Sequence, residues 1–519
     1  MLVKLYGAAL QGIDAVIVTI EVSSTRGIKF FMVGLPDLAV KESHERIVCA
    51  LEHNGYHMPA SRLVVNLAPA DIRKEGTAYD LPIAIGILGA FEKLPSERLS
   101  RFLIMGELGL DGNVLPIKGA LPIAIAARSQ GFEGMIVPEQ NAREAAVVNR
   151  LNVYGVKNIS DVIEFFLGTR QLEPTIVDTR REFFDHQSES GLDFSDVKGQ
   201  ENVKRAFEVA AAGGHNVILV GPPGSGKSMI AKRLPGILPP LSLSESLETT
   251  KIHSVAGILG KDSSLIATRP FRSPHHTISQ VAMVGGGQNP RPGEISLAHN
   301  GVLFLDELPE FSRAVLEVLR QPLEDRMISI SRAKYSLTYP ATFMLVASMN
   351  PCPCGYYTHP TRRCTCAPGQ VQRYLSRISG PLLDRIDIQI EVVPVPLEQM
   401  SGTSQGESSA AIRERVIKAR AIQQVRYANV KGVHCNAQMT SAMLREYARL
   451  DSKSAASLQT TMTRLSLSAR AYDRILKVSR TIADLDGSEN IQFVHLAEAI
   501  SYRNLDRASW AESGSSFLK

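Results

Sequence analysis

Asn216-Val-Ile-Leu-Val220 is a short apolar run, and Gly221-Pro-Pro-Gly224-Ser-Gly226-Lys227-Ser228 follows it at once, opening the helix-like stretch Ser228-Met-Ile-Ala-Lys-Arg-Leu. Strand, glycine-rich turn and helix form the context in which G-x-x-x-x-G-K-[ST] holds phosphate. Gly221, Gly224 and Gly226 let the backbone wrap close to phosphate oxygens, and the helix N-terminus offers free N–H groups and a positive dipole end. In this pattern Lys227 reaches the β- and γ-phosphates of ATP and the Ser228 hydroxyl binds Mg²⁺.

A second apolar run, Gly301-Val-Leu-Phe-Leu-Asp306-Glu307, ends in two carboxylates. As a buried strand it would set Asp306 at the sheet edge to hold Mg²⁺, with Glu307 polarising the attacking water. A third run, Thr342–Ser348, ends at Asn350, where an amide can position that water. An Asp-Glu pair plus a polar residue ending the next strand points to the AAA+ class, whose members act as rings with an arginine supplied to the neighbour's γ-phosphate. Ser379-Gly-Pro-Leu-Leu-Asp384-Arg385-Ile-Asp387 holds the candidate, Arg385, which could instead pair locally with Asp384 or Asp387. Arg470 opens a later helix as the candidate second sensor, with Arg474 on the same face as its rival.

Around this core the 519 residues divide by composition, and at roughly 100–200 residues per domain the length allows two to four domains. Residues 1–168 alternate β-rich runs (Ala15–Val22, Arg62–Leu67, Phe102–Met105, Gly134–Val137) with helical stretches, an α/β domain with its own core. Residues 169–195 are polar and aperiodic and read as an exposed linker. Residues 196–395 carry the parallel nucleotide-binding sheet, and 396–519 are dominated by helical periodicity, a small helical domain.

Fifty-seven Lys and Arg against 52 Asp and Glu give +5, a mild bias that becomes a nucleic-acid signal only where it clusters. The 44% hydrophobic content excludes a disordered chain. No apolar run nears the ~20 residues of a membrane span, and Gln11 and Asp14 interrupt any signal-peptide core, so a soluble, cytoplasmic protein with no membrane partner is expected.

Four of the six cysteines fall together as Cys352-x-Cys354 and Cys364-x-Cys366 in a hydrophilic loop. Four thiolates suit a structural, tetrahedral Zn²⁺, with His359 able to replace one ligand; reduced free thiols and a redox disulfide pair are the other readings. Cys49 and Cys435 stand alone and read as buried or inert.

Phe271-Arg-Ser-Pro-His275-His276-Thr-Ile-Ser, Val284-Gly-Gly-Gly, Pro292–Gly301, Leu305–Phe311 and Asn350-Pro-Cys-Pro-Cys-Gly355 together resemble the magnesium-chelatase-like AAA+ family, in its ComM (YifB) branch, over nearly the whole chain. The resemblance sets Arg385 on the arginine finger and Arg470 on the second-sensor arginine. It implies a helix-2 insertion between Ser228 and Asp306 whose hairpin contains Gly285–Ser296, with Arg291 near the tip, and a C-terminal helical lid. A second hairpin, Ile328–Leu337, alternates like a strand pair and would present Arg332 and Lys334 to the pore of a ring, hexameric by the resemblance. Such loops would line a basic channel matched to single-stranded or branched DNA; the alternative is an ordinary solvated hairpin tip. The branch is known for ATP-dependent helicase activity in branch migration, in natural transformation or homologous recombination.

Gly106–Pro122 and Ile136–Asn141 resemble the proteolytic domain of Lon, an S5-like α/β fold. Its Ser–Lys dyad would fall on Ala78 and about Leu121, neither of which can act, while Thr77 and Lys118 lie near enough for a shifted dyad. Three functions therefore compete: a DNA-translocating motor, a chelatase-motor-like protein remodeller and an ATP-dependent protease. The DNA motor accounts for the most features.

Overall fold

The computed structural model describes residues 1–58, 61–185, 191–260, 264–287, 290–332, 335–357, 359, 361–367, 369–395, 406–465 and 467–503. Strands Leu2–Gln11 and Asp14–Thr25 form an antiparallel hairpin, with Leu2 opposite Ser23 and Gln11 opposite Asp14. They sit inside a seven-stranded mixed sheet ordered Phe30–Val33, Arg62–Ala68, Asp14–Thr25, Leu2–Gln11, Phe102–Ile104, Gly134–Pro138, Asn152–Val156. Alternation along these strands sends Ile104 and Ile136 into one core and Leu103, Met135 and Val137 into another, so helices cover both faces. Helix Asp80–Ala90 is buried along its whole length, which explains the most apolar run of the chain without any membrane. No described helix is long and apolar enough to cross a membrane.

A second sheet is fully parallel, ordered Phe271–Arg272, Val302–Leu305, Met344–Met349, Val217–Val220, Ile388–Glu391. Val217, Leu219, Phe304 and Val346 face one core, and Ile218, Val220, Leu305 and Ala347 the other. Burial on both faces is why these strands read as continuous apolar runs rather than alternating ones. Among the described residues three small antiparallel hairpins stand apart from both large sheets: Glu107–Leu108 with Val114–Leu115, Gly285–Gly286 with Arg291–Pro292, and Met327–Arg332 with Tyr335–Pro340.

The C-terminal helices Ser409–Arg426, Ser441–Tyr447, Ser452–Leu465, Ala469–Leu485 and Phe493–Ser501 match the expected periodicity. Ser408, Thr440 and Ser468 cap three of them by accepting a first-turn N–H. Their apolar residues Ile412, Val416, Ile475, Ile482 and Leu496 join the same cluster as the sheet and helix Glu201–Gly213, so the described helices share the core of the parallel sheet.

Most described residues of 169–195 are exposed, as expected, but Phe183 and Phe194 are buried and anchor the segment. Helix Thr179–Asp185 buries Phe183 against Leu241 and Ala267, and Glu182 accepts from Arg143 at 2.7 Å and from Ser264. Phe194 is fully buried in the core of the parallel sheet, and Asp193 accepts the Ser409 N–H at 3.1 Å. A pair of aromatics in a polar stretch was enough to tie it down. Further contacts fasten the N-terminal sheet layer to the rest: Gly119 N–H donates to Ser254 O at 3.1 Å, Ser254 Oγ donates to buried Glu144, and Lys251 pairs with Asp14.

Candidate nucleotide site

Three parallel strands end side by side, and each delivers one part of a polar cluster. Val217–Val220 runs into the glycine loop, Val302–Leu305 into Asp306, and Met344–Met349 into Asn350. Ligands of open parallel sheets bind at such carboxyl ends, where loops can diverge without breaking the ladder. Gly226 caps the helix that begins at Lys227 with φ +87, a left-handed conformation that glycine adopts without a steric penalty.

Lys227 is buried, and its Nζ donates to Gly221 O and Pro222 O at 2.8 Å each and to Asn350 Oδ1 at 3.3 Å. Burial lowers its pKa, opposed by the nearby Asp306 and Glu307 carboxylates. Asp306 accepts from Ser228 Oγ at 2.7 Å, from Ser348 Oγ, and from the Glu307 N–H at 3.1 Å. Glu307 is exposed and holds φ +55, an uncommon backbone for a side chain with Cβ. His276 Nδ1 lies 3.8 Å from that carboxylate.

Sequence reasoning missed four neighbours of this cluster. Ser348 lies inside an apolar strand, His276 and Gln200 are distant along the chain, and Tyr374 belongs to a short helix. Gln200 Nε2 donates to Ser225 O at 2.9 Å and Val393 O at 3.2 Å, bracing the glycine loop. Tyr374 bonds the Asn350 N–H, and burial with Glu310 nearby raises its hydroxyl to about 12. The one available signal was Ser348 itself, a hydroxyl two residues before Asn350 on a strand beside Asp306.

Arg385 pairs with neither Asp384 nor Asp387. Its side chain is 7% exposed, donating to Pro381 O at 2.5 Å and pairing with Glu324 at 2.5 Å. Asp387 pairs instead with half-buried Arg474 at 3.0 Å and faces buried His215 at 3.3 Å. Arg470 is 62% exposed and lies 3.4 Å from Asp384, the residue beside Arg385. Arg474 is thus committed to Asp387, while Arg470 pairs with Asp384, the neighbour in sequence of Arg385.

The thiols of Cys352, Cys354, Cys364 and Cys366 all lie within 4.8 Å of one another. Three of the sulfur–sulfur separations are 3.3 Å (352–354), 3.7 Å (352–364) and 3.5 Å (354–364). These exceed the ~2.05 Å of a disulfide and approach the roughly 3.8 Å between sulfurs each ~2.3 Å from a tetrahedral Zn²⁺. Burial raises the Cys352 thiol to about 12, whereas at Cys354 N–H groups of Tyr356 and Thr365 overcome burial and lower it to about 5. His359 lies outside the four-thiol group: its Nδ1 accepts the Arg362 N–H at 3.0 Å and its ring meets Tyr356 edge-on. Cys435 is buried as expected, but Cys49 is exposed, because position 49 falls on the outer side of helix Ser43–His53.

Arg291 begins the second short strand of its hairpin, is exposed, and lies within electrostatic reach of Glu75 and Lys118 in the N-terminal region. Arg332 ends the first strand of the other hairpin, and Lys334 lies outside the described residues. In the N-terminal region Thr77 Oγ1 donates to Glu107, while the Lys118 side chain packs on Gly257, beyond the end of helix Leu243–Ala256. The two candidates for a shifted dyad are thus engaged with different partners. Ala78 and Leu121, at the positions a dyad would need, carry no ionisable group.

Comparison with known proteins agrees with this architecture. Family models for magnesium chelatase subunit ChlI match residues 193–400, for subunit ChlI of Mg-chelatase residues 20–141, and for the ChlI C-terminal region residues 406–503. The competence protein ComM of Haemophilus influenzae is 45% identical over 506 residues, covering 97% of each chain. The uncharacterized protein YifB of Escherichia coli is 45% identical over 502 residues, covering 96% of each. Lon protease 2 of Bacillus subtilis is 31% identical over 155 residues, 28% of this chain and 27% of its own. Matched to the chelatase models in all three parts, and to ComM and YifB along nearly its full length, the chain belongs to the ComM/YifB family of magnesium-chelatase-type AAA+ proteins.

Proposed function

We propose that the protein is an ATP-dependent, ring-forming DNA motor that drives branch migration in homologous recombination or in the integration of incoming DNA. The observation that carries this reading is the convergence of Lys227, Ser228, Asp306 and Asn350 at three adjacent strand ends. In it Lys227 and the N–H groups of the glycine loop bind the phosphates of ATP, and Ser228 and Asp306 hold Mg²⁺. Glu307 polarises the attacking water, and Asn350 positions it beside the γ-phosphate. Arg385, with Arg470, completes the site of a neighbouring subunit, which requires its release from Glu324. The pairing of Arg470 with Asp384 supports placing both arginines on one subunit face.

DNA as the substrate is supported by the 45% identity to a protein named for competence, and by the basic residues Arg291, Arg332 and Lys334 assigned to two hairpins. They would meet the phosphate backbone in the ring's channel. Zn²⁺ held by Cys352, Cys354, Cys364 and Cys366 would be structural, in a loop with little apolar content to pack.

The test is the rate of ATP hydrolysis with and without single-stranded and branched DNA across a salt titration, followed by migration of a synthetic four-way junction. Stimulation that fades as salt rises, with junction migration that needs ATP, is expected. A rate indifferent to every DNA form would overturn the DNA assignment and favour a protein-remodelling motor.

A further inference from the structure

The loop between Asn350 and helix Gln370–Leu375 contains no described helix or strand, yet it meets the candidate nucleotide site at both ends of a six-residue turn. At one end, Asn350 Oδ1 accepts from Lys227 Nζ at 3.3 Å. At the other, Gly355 at φ +83 lies so close to the glycine loop that a Cβ there would be 2.5 Å from Pro223 Cδ. Between them stand Cys352 and Cys354. Cys352 is fully buried and its sulfur accepts the Tyr357 N–H at 3.3 Å. The partners of these two thiols, Cys364 and Cys366, come from further along the loop, so whatever binds the four sulfurs also fixes the turn that presses on Pro223 and presents Asn350.

Packing holds the near half of the loop, where Pro351, Cys352 and Gly355 are buried, but not the far half, where residues 361–363 are exposed. Tyr356 meets His359 edge-on and Arg362 bonds the Tyr356 hydroxyl at 2.8 Å. Four sulfurs within 4.8 Å of one another, three of them 3.3 to 3.7 Å apart, have the spacing of a tetrahedral thiolate site, and a divalent cation bound there would close two small loops at once. The backbone continues the connection, because Gly221 N–H, at the start of the glycine loop, donates to Met349 O at 3.2 Å.

We propose that the tetrathiolate site sets the shape of the phosphate loop, so that nucleotide affinity depends on whether the four cysteines hold their metal. The inference rests on the structural-metal reading above and adds to it a coupling through the Asn350–Gly355 turn. Metal bound at the cysteines holds Asn350 on Lys227 and Gly355 on Pro223. Metal lost leaves both contacts to a loop packed only along its near half.

The experiment measures zinc content by elemental analysis and the affinity for a fluorescent ATP analogue on the full-length protein. Both are read as purified under reducing conditions, after extraction with a thiol-reactive mercurial and a zinc-selective chelator, and after removal of the mercurial and return of Zn²⁺. About one zinc per chain is expected, with a dissociation constant for the nucleotide that rises about tenfold on extraction and recovers on return. Cys366→Ser, which removes the ligand furthest along the chain from Asn350, should lower both zinc and nucleotide affinity. Gly355→Ala should lower nucleotide affinity while zinc stays bound. If Cys366→Ser fails to fold by circular dichroism, extraction and return on the unaltered protein decides the matter. Zinc lost with nucleotide affinity unchanged overturns the coupling and leaves the metal site standing. A protein that binds no zinc even when it is supplied overturns the site and the coupling together.

Discussion

The hydroxyl of Ser228 lies 2.7 Å from the carboxylate of Asp306, a contact made across 78 positions of the chain. Both groups are Mg²⁺ ligands in the proposed mechanism, and here they bond each other directly, with Ser348 holding the second carboxylate oxygen. Ser228→Ala removes one partner without touching the core, because neither side chain is fully buried. It should leave folding intact and lower Mg²⁺-dependent ATP turnover at least about a hundredfold, the scale of losing one electrostatic partner of a transition state. Titrating Mg²⁺ at fixed ATP checks this, and an unchanged Mg²⁺ requirement would rule out the ligand role.

Glu307 sits on a left-handed backbone at the end of its strand, exposed and beside His276. Glu307→Gln keeps the shape and the same backbone cost while removing the charge that polarises water. Turnover should fall by about 10² or more while ATP binding persists. A variant that hydrolyses ATP at the unaltered rate would sink the assignment.

Arg385 is held by Glu324 within its own chain. If it serves a neighbour's nucleotide, Arg385→Ala should bind ATP normally yet turn over slowly. Mixing it with Lys227→Ala, which keeps its arginine but cannot grip phosphate, should recover part of the activity in shared rings. Failure of every mixing ratio to recover any would place the arginine's effect within one subunit.

Buried Asp387 and His215 meet the half-buried Arg474 just before the last strand of the parallel sheet. Burial raises the Asp387 carboxyl, but Arg474 and His215 outweigh it and hold it far below the usual carboxylate range. Burial lowers His215 below its ordinary 6.5, opposed by Asp387. Both folded pKa values are depressed, so both contributions are present above the unfolded values and are lost as pH falls. His215's fades below its ordinary 6.5 and Asp387's below its ordinary 3.8. Asp387→Asn should lose about 2–3 kcal/mol at neutral pH, by taking the buried carboxylate away from the half-buried Arg474. His215→Gln should flatten the fall in thermal midpoint between about pH 7 and 5. Differential scanning calorimetry across that range checks both.

Local pattern was enough to determine the α/β class, the phosphate loop, the acidic strand end and Asn350, because each depends on residues that are neighbours in sequence. A glycine loop needs its glycines adjacent, and a buried parallel strand needs an unbroken apolar run. The clustering of four cysteines was legible for the same reason. Pairings between distant segments were decided only by tertiary structure. Nothing near Arg385 in sequence announces Glu324, since an ion pair depends on where two chains of backbone are carried by packing. Ser348 became a partner of Asp306 because their parallel strands are in register, with Leu305 opposite Ala347. Residues 169–195 read as linker because they are polar on average, yet burial is settled residue by residue, and Phe183 and Phe194 found cores that composition cannot display. The contact of Gly355 with Pro223 belongs to the same class: two turns meet because the strands before them, Met344–Met349 and Val217–Val220, lie side by side.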